Sequence, residues 1–123
     1  MIQGVVNACH EAGVRLRMRG PGGVESDVDA IVDSGFTVSL TLPATTVTAL
    51  GLVRQSGSSA LLADGSLRQF DIFAAEVAWG GTWRAVLVST VGNEPLLGMR
   101  LLTGHKLVIE VVPGGLVEIL PLP

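Results

Sequence analysis

Short apolar runs that alternate with polar residues at every second position, set between turn residues, predict an all-β domain. Val14-Arg15-Leu16-Arg17-Met18 shows the alternation most cleanly and places its arginines on the face away from a core. The 16 glycines and 6 prolines supply the many tight turns that such a fold needs. A hydrophobic share of 48% against 15% charged residues is enough to build a core and excludes a disordered segment. With 123 residues there is material for one core and not for two lobes, so residues 1–123 are expected to form a single domain.

Each element can be justified in chain order. Ile2 to Val6 is expected as a first strand and residues 14–18 as a second. Pro21-Gly22-Gly23 makes a turn that returns the chain as a hairpin into Val24 to Val32. Thr37 to Leu42 is β-branched and apolar, which predicts a strand. Ala44 to Leu50, ending at Gly51, predicts one short helix closed by a glycine. Leu61 to Ala63 and Ser66 to Phe70 flank Asp64-Gly65, a pair suited to a two-residue hairpin turn. Phe73 to Trp79, Gly80-Gly81 and Trp83 to Val88 predict a further hairpin. Leu96 to Leu102 has room for a helical turn. Leu107 to Val112, Pro113-Gly114-Gly115 and Val117 to Leu120 predict the last hairpin. No linker, repeat or low-complexity stretch interrupts this series.

Several functions are disfavoured by composition and pattern. A net charge of -3 offers no basic surface, so no nucleic-acid partner is expected. Cys9 is the single cysteine, which permits no intramolecular disulfide and fits a reducing compartment. The start, MIQGVVNACHEAG, has neither a basic lead nor a long apolar stretch, and no window approaches the roughly 20 apolar residues of a membrane span. A soluble, cytoplasmic protein without a membrane partner is therefore expected. His10 and His105 lie far apart with no Cys/His cluster beside them, so neither a metal nor another cofactor is expected. Neither a Gly-x-Ser-x-Gly elbow nor a phosphate-binding glycine pattern is present.

One stretch carries candidate chemistry. In AIVDSGFTVSLTLP, residues 30–43, an apolar run leads directly into Asp33-Ser34-Gly35 and then turns apolar again. Alone, Asp-Ser-Gly is also ordinary turn chemistry, with the carboxylate accepting nearby backbone hydrogen bonds. Its apolar flanks bring the loop towards the core, where a carboxylate without partners is costly. Far downstream, Pro95-Leu96-Leu97-Gly98-Met99-Arg100-Leu101-Leu102 sets two apolar residues and a glycine before another apolar pair.

Taken in order, Ile31-Val32-Asp33-Ser34-Gly35, the hairpin around Asp64-Gly65 and Leu96-Leu97-Gly98 resemble the retroviral-like (retropepsin-type) aspartic proteases, the single-domain relatives of pepsin. Thr41-Leu42-Pro43 followed by Leu50-Gly51-Leu52 is similar to the bacterial and archaeal branch of that group. The likeness spans roughly residues 2 to 112. It implies a single-lobe, closed β-barrel of hairpins with one or two short helices. It also implies an aspartic endopeptidase that hydrolyses peptide bonds in extended segments. Since the chain has one Asp-Ser-Gly, the second carboxylate would come from Asp33 of another copy, which makes a homodimer the active species.

The resemblance assigns the remaining roles. Ser34 would offer its hydroxyl to a network between the two loops, and Gly35 would leave room for the substrate backbone. Phe36 and Thr37 would border the bound peptide. Ala63, Asp64, Gly65 and Ser66 would form the tip of a flap that closes over it. Leu96, Leu97 and Gly98 would brace the catalytic loop from behind. Departures accompany these matches: Phe36 stands where most relatives carry alanine. Thr37 and Met99 replace an acid and an arginine that often form an ion pair, Arg100 follows, and no tyrosine exists for a flap. A non-catalytic peptide-binding or assembly module of the same fold is the alternative. The terminal strands are open to two roles, inter-subunit pairing or plain edges within one subunit.

Overall fold

A computed structural model describes the backbone of all 123 residues and every side chain except that of Ala60. Its strands are β1 (Ile2–Val6), β2 (Ala12–Arg19), β3 (Glu25–Val32), β4 (Leu40–Thr41), β5 (Val53–Leu61), β6 (Leu67–Trp79), β7 (Thr82–Ser89), β8 (Leu96–Leu97), β9 (His105–Ile109) and β10 (Leu116–Pro121). The one helix, α1, covers Ala44–Ala49. Strands take up 53% of the chain and helix 5%, so the domain is all-β. Among the described residues, no helix is long and apolar enough to cross a membrane.

The strands form one sheet in the order β5-β6-β7-β4-β8-β3-β2-β1-β10-β9. β2 also pairs with β6, Met18 opposite Val77 and Arg19 opposite Glu76. Paired neighbours therefore run in a circuit from β6 through β7, β4, β8, β3 and β2 back to β6. Alternation explains where the core sits. Ala12, Val14, Leu16 and Met18 of β2 point inward against Val28 and Ala30 of β3, Val77 and Trp79 of β6, and Val86 and Val88 of β7. Burying one such aliphatic side chain is worth about 1.5–3 kcal/mol.

The outward arginines of β2 face acids at their own register. Arg15 pairs with Asp29 at 2.8 Å and Arg17 with Asp27 at 3.2 Å, while Arg19 reaches across to Glu76 at 2.9 Å and lies over the Trp83 ring. The hydrogen bond from Arg15 holds the Asp29 carboxyl below the usual carboxylate range. These pairs are largely exposed, so each adds little stability.

Several sequence expectations need correction. The strand expected over Thr37 to Leu42 shrinks to Leu40–Thr41, because the preceding carbonyls of Phe36, Val38 and Ser39 accept N–H groups of residues 98–100. The Asp64-Gly65 turn is a three-residue loop: Leu62 N–H binds Ser66 O, Gly65 N–H binds Leu62 O, and Gly65 has φ +85°. Leu62 and Ala63 belong to that turn, and β5 begins earlier, at Val53. β6 runs unbroken for 13 residues and joins the two hairpins expected as separate units. Residues 99–104 form successive turns and no second helix, with Leu102 N–H bound to Met99 O and Thr103 N–H to Arg100 O. β9 ends at Ile109, since residues 110–115 form the turn into β10.

Elsewhere expectation and structure agree. α1 closes at Leu50 and Gly51, the latter at φ +66°. Gly80-Gly81, at φ +61° and +88°, makes the two-residue turn between β6 and β7, with Trp79 opposite Thr82. β1 pairs with β2 and with β10, so within one chain the terminal strands bond each other.

Candidate active site

Asp33 follows directly on β3, and its position is fixed by the backbone of a distant segment. Ile31 and Val32 of β3 pair in parallel with Leu96 and Leu97 of β8, and Asp33 N–H donates to Leu97 O at 2.9 Å. β8 pairs on its other side with β4, antiparallel. This two-residue strand thus lies between the chain entering the 33–39 loop and the chain leaving it. Leu97 is fully buried, which anchors the seam in the core.

Gly98 extends the seam. Its N–H donates to Ser39 O at 2.9 Å, while Met99 N–H donates to Phe36 O at 2.8 Å. An alanine Cβ at 98 would overlap the Val38 carbonyl oxygen and come within 2.8 Å of Phe36 O. No side chain fits there, because the atoms in the way are backbone. Backbone hydrogen bonds and a contact only glycine permits thus hold residues 96–98 against the 33–39 loop. Val38 and Ser39 share this work, and the sequence concealed them because they contribute carbonyls and not side chains.

Within the loop, Asp33 turns its carboxylate onto its own backbone. Oδ1 accepts the Gly35 N–H at 3.0 Å, and Asp33 O accepts the Phe36 N–H at 3.1 Å, closing a turn. A Cβ at Gly35 would stand 3.3 Å from that same Oδ1, tight enough to press on the carboxylate. Asp33 and Phe36 are half-buried, and Ser34, Gly35 and Thr37 are exposed. Among the described residues, Ser34 Oγ has no hydrogen-bond partner within the chain, and no cation pairs with Asp33. Thr37 borders an open groove with Met99, Arg100 and His105.

The other expected residues lie at the far end of a different element. Ala63, Asp64, Gly65 and Ser66 form the tip between β5 and β6, all exposed. Asp64 Oδ1 accepts both the hydroxyl of Ser66 at 2.6 Å and its N–H at 2.9 Å. Those bonds, the hydroxyl's foremost, hold the Asp64 carboxyl below its usual range. The described side chains of β5 are exposed along its whole length, as are Leu67, Arg68 and Gln69 on the facing strand. A two-stranded ribbon with both faces in water projects from the body. Among the described residues, no hydrogen bond links it to the 33–37 loop.

The seam therefore unites Asp33, Ser34, Gly35 and Phe36 with Leu96, Leu97 and Gly98, and leaves residues 63–66 apart on the ribbon. One chain presents one carboxylate at this loop. Among the described residues, no three of His, Cys, Asp and Glu gather in a metal-holding group. Chemically, the loop can offer a half-exposed acid with a free hydroxyl beside it. No protein-family model matches the chain, and no curated protein matches it.

Proposed function

We propose that the chain is an aspartic endopeptidase of retropepsin-like fold, acting as a homodimer on extended polypeptide segments. The observation that carries this reading is the β3–β8–β4 seam. It joins two segments some sixty residues apart and presents Asp-Ser-Gly on a rigid backbone support. A free turn would need no such anchorage. The circuit of strand pairings supports a closed barrel, and the projecting β5–β6 ribbon supports a flap. The lone cysteine suits a reducing, cytoplasmic setting.

The mechanism follows from electrostatics. Two Asp33 carboxyls brought about 3 Å apart by a two-fold axis cannot both ionise, so they share one proton. The ionised carboxylate takes a proton from a water, whose oxygen bonds to the scissile carbonyl carbon. The protonated carboxyl donates to the carbonyl oxygen as its charge develops. When the tetrahedral intermediate collapses, the C–N bond breaks and the nitrogen leaves with a proton from the dyad. Ser34, exposed and unbonded within one chain, is free to bond across the axis. The ribbon would close over the peptide and exclude water.

A peptide-binding or assembly module of the same fold is the second reading. Phe36 favours it, because a half-exposed ring next to Asp33 takes space where relatives have a methyl group. Proteolysis of unfolded polypeptides across about pH 3 to 8, set beside Asp33→Asn, separates the two. The expected result is cleavage by the native chain and a loss of about a thousandfold or more in the variant. Cleavage that survives the substitution removes Asp33 from the mechanism, and peptide binding without any cleavage leaves the module.

A further inference from the structure

Two strands end the sheet order, β5 and β9, and their outer edges offer different things to another chain. β5 is mostly polar and breaks register between Arg54 and Ser56, a bulge that interferes with regular pairing. β9, His105-Lys106-Leu107-Val108-Ile109, has no proline or glycine and keeps unbroken register with β10. Leu107 and Ile109 pack on the core, so alternation turns Lys106 and Val108 to the outer face. All three aliphatic residues stay half-buried, and a further strand would complete their burial. The backbone phase of the edge is also fixed. Leu122 N–H donates to Gly104 O and Glu110 N–H to Leu116 O, both at 2.9 Å, at the two ends of the β9–β10 ladder. In an antiparallel pair, Lys106 and Val108 then bond to β10, and Leu107 and Ile109 direct their N–H and C=O groups to the open side.

We propose that β9 pairs antiparallel with β9 of a second copy, about a two-fold axis at Val108. In that register Leu107 lies opposite the partner's Ile109, so the residues with open N–H and C=O groups bond to each other. On the outer face Lys106 meets the partner's Glu110, and symmetry makes this ion pair twice. Among the described residues, Lys106 forms no ion pair within the chain. Glu110 is already oriented, because its Oε1 accepts the Leu116 N–H at 3.1 Å and leaves the second oxygen for an ammonium. An axis at Leu107 keeps the same backbone phase but sets Lys106 against Val108. It also needs the His105 N–H, which is bound to Leu102 O at 3.0 Å. A lysine on an open edge ordinarily opposes pairing, whereas here its charge selects one register. Each chain has a single β9, so the assembly closes at two copies. The interface uses no atom of Asp33 and stands whether or not the chain cleaves peptides.

Sedimentation velocity of the full-length chain tests the pairing without any cleavage assay. The native protein is expected to dimerise. Lys106→Glu sets carboxylates against each other at both ion pairs and is expected to weaken the dimer about tenfold, less as salt is raised. Glu110→Lys sets ammonium groups against each other and should weaken it likewise. A mixture of the two variants regains both attractive pairs, so heterodimers are expected to form about as tightly as the native dimer. Lys106 and Glu110 are exposed, and each variant should keep the native circular dichroism. Should Glu110→Lys not fold, the dimer constant of Lys106→Glu decides alone. A native chain that stays monomeric overturns the pairing, as does a dimer that Lys106→Glu leaves unweakened. Two folded variants whose mixture does not recover also overturn it, since positions 106 and 110 would then not face each other.

Discussion

At Gly98 a single hydrogen atom decides whether the loop can be braced. The Cβ of an alanine would occupy the space of the Val38 carbonyl oxygen, and neither backbone can retreat without breaking the bonds to Ser39 and Phe36. Gly98→Ala is therefore expected to cost about 3 kcal/mol or more, read as a shift in the denaturant midpoint. A change below about 0.5 kcal/mol would show that the seam is loose. Thr41 and Ser89 make a second contrast. Thr41 Oγ1 lies within hydrogen-bond reach of Ser89 O and Val91 O, whereas the buried Ser89 Oγ has no partner. Thr41→Val should destabilise by about 1 kcal/mol, and Ser89→Ala should be neutral or stabilising in the same melt.

Asp64 supplies a residue-scale test in pH. Its folded carboxyl is depressed by the Ser66 hydroxyl and N–H, so the ionised form is the one the tip stabilises. For a depressed acid, the contribution is present above the unfolded pKa and is lost as the pH falls through the folded one. The loss therefore begins below about pH 4. The Ser66 amide signal in NMR is expected to titrate with a midpoint under that of a free aspartate, and Asp64→Asn should remove the transition. A midpoint at the ordinary value would mean that these bonds do not hold the tip. Asp33 and Gly35 were legible in the sequence because Asp-Ser-Gly states its turn locally. Val38 and Ser39 were not, since carbonyl oxygens are common to every residue.

At the scale of elements, legibility followed burial. β2 shows its alternation because one face enters the core and the other meets Asp27, Asp29 and Glu76. α1 declared itself through Gly51, and the β6–β7 turn through Gly80-Gly81. β5 was largely missed, since Val-Arg-Gln-Ser-Gly-Ser-Ser buries nothing and its strand character comes from pairing with β6. The 37–39 segment was misread for the opposite reason: its β-branched and apolar residues favour a strand, but its backbone partners lie sixty residues downstream. A ribbon without buried side chains rests on its own hydrogen bonds and should open locally. Hydrogen exchange is expected to be fastest over residues 56–70 and slowest over 14–18. Protection of the ribbon equal to that of β2 would show that it packs on the body.

At the scale of the whole molecule, the sequence made the all-β class visible through its period of two and its turns. The order of strands was not visible in that way. The parallel β3–β8 pairing and the β2–β6 contact join segments whose proximity no local pattern encodes. Function belongs to this scale too, because an isolated chain carries a single Asp33 at the loop. If two copies build one site, the monomer is inactive, and activity per mole should rise with protein concentration until dimers dominate.

The most direct test mixes native chain with Asp33→Asn in varying proportion at fixed total concentration, allows exchange, and measures hydrolysis of an unfolded polypeptide. Shared sites predict that activity falls as the square of the native fraction, to about one quarter in an equal mixture. A fall to about one half would mean that each chain works alone, and would contradict a dyad made from Asp33 of two copies.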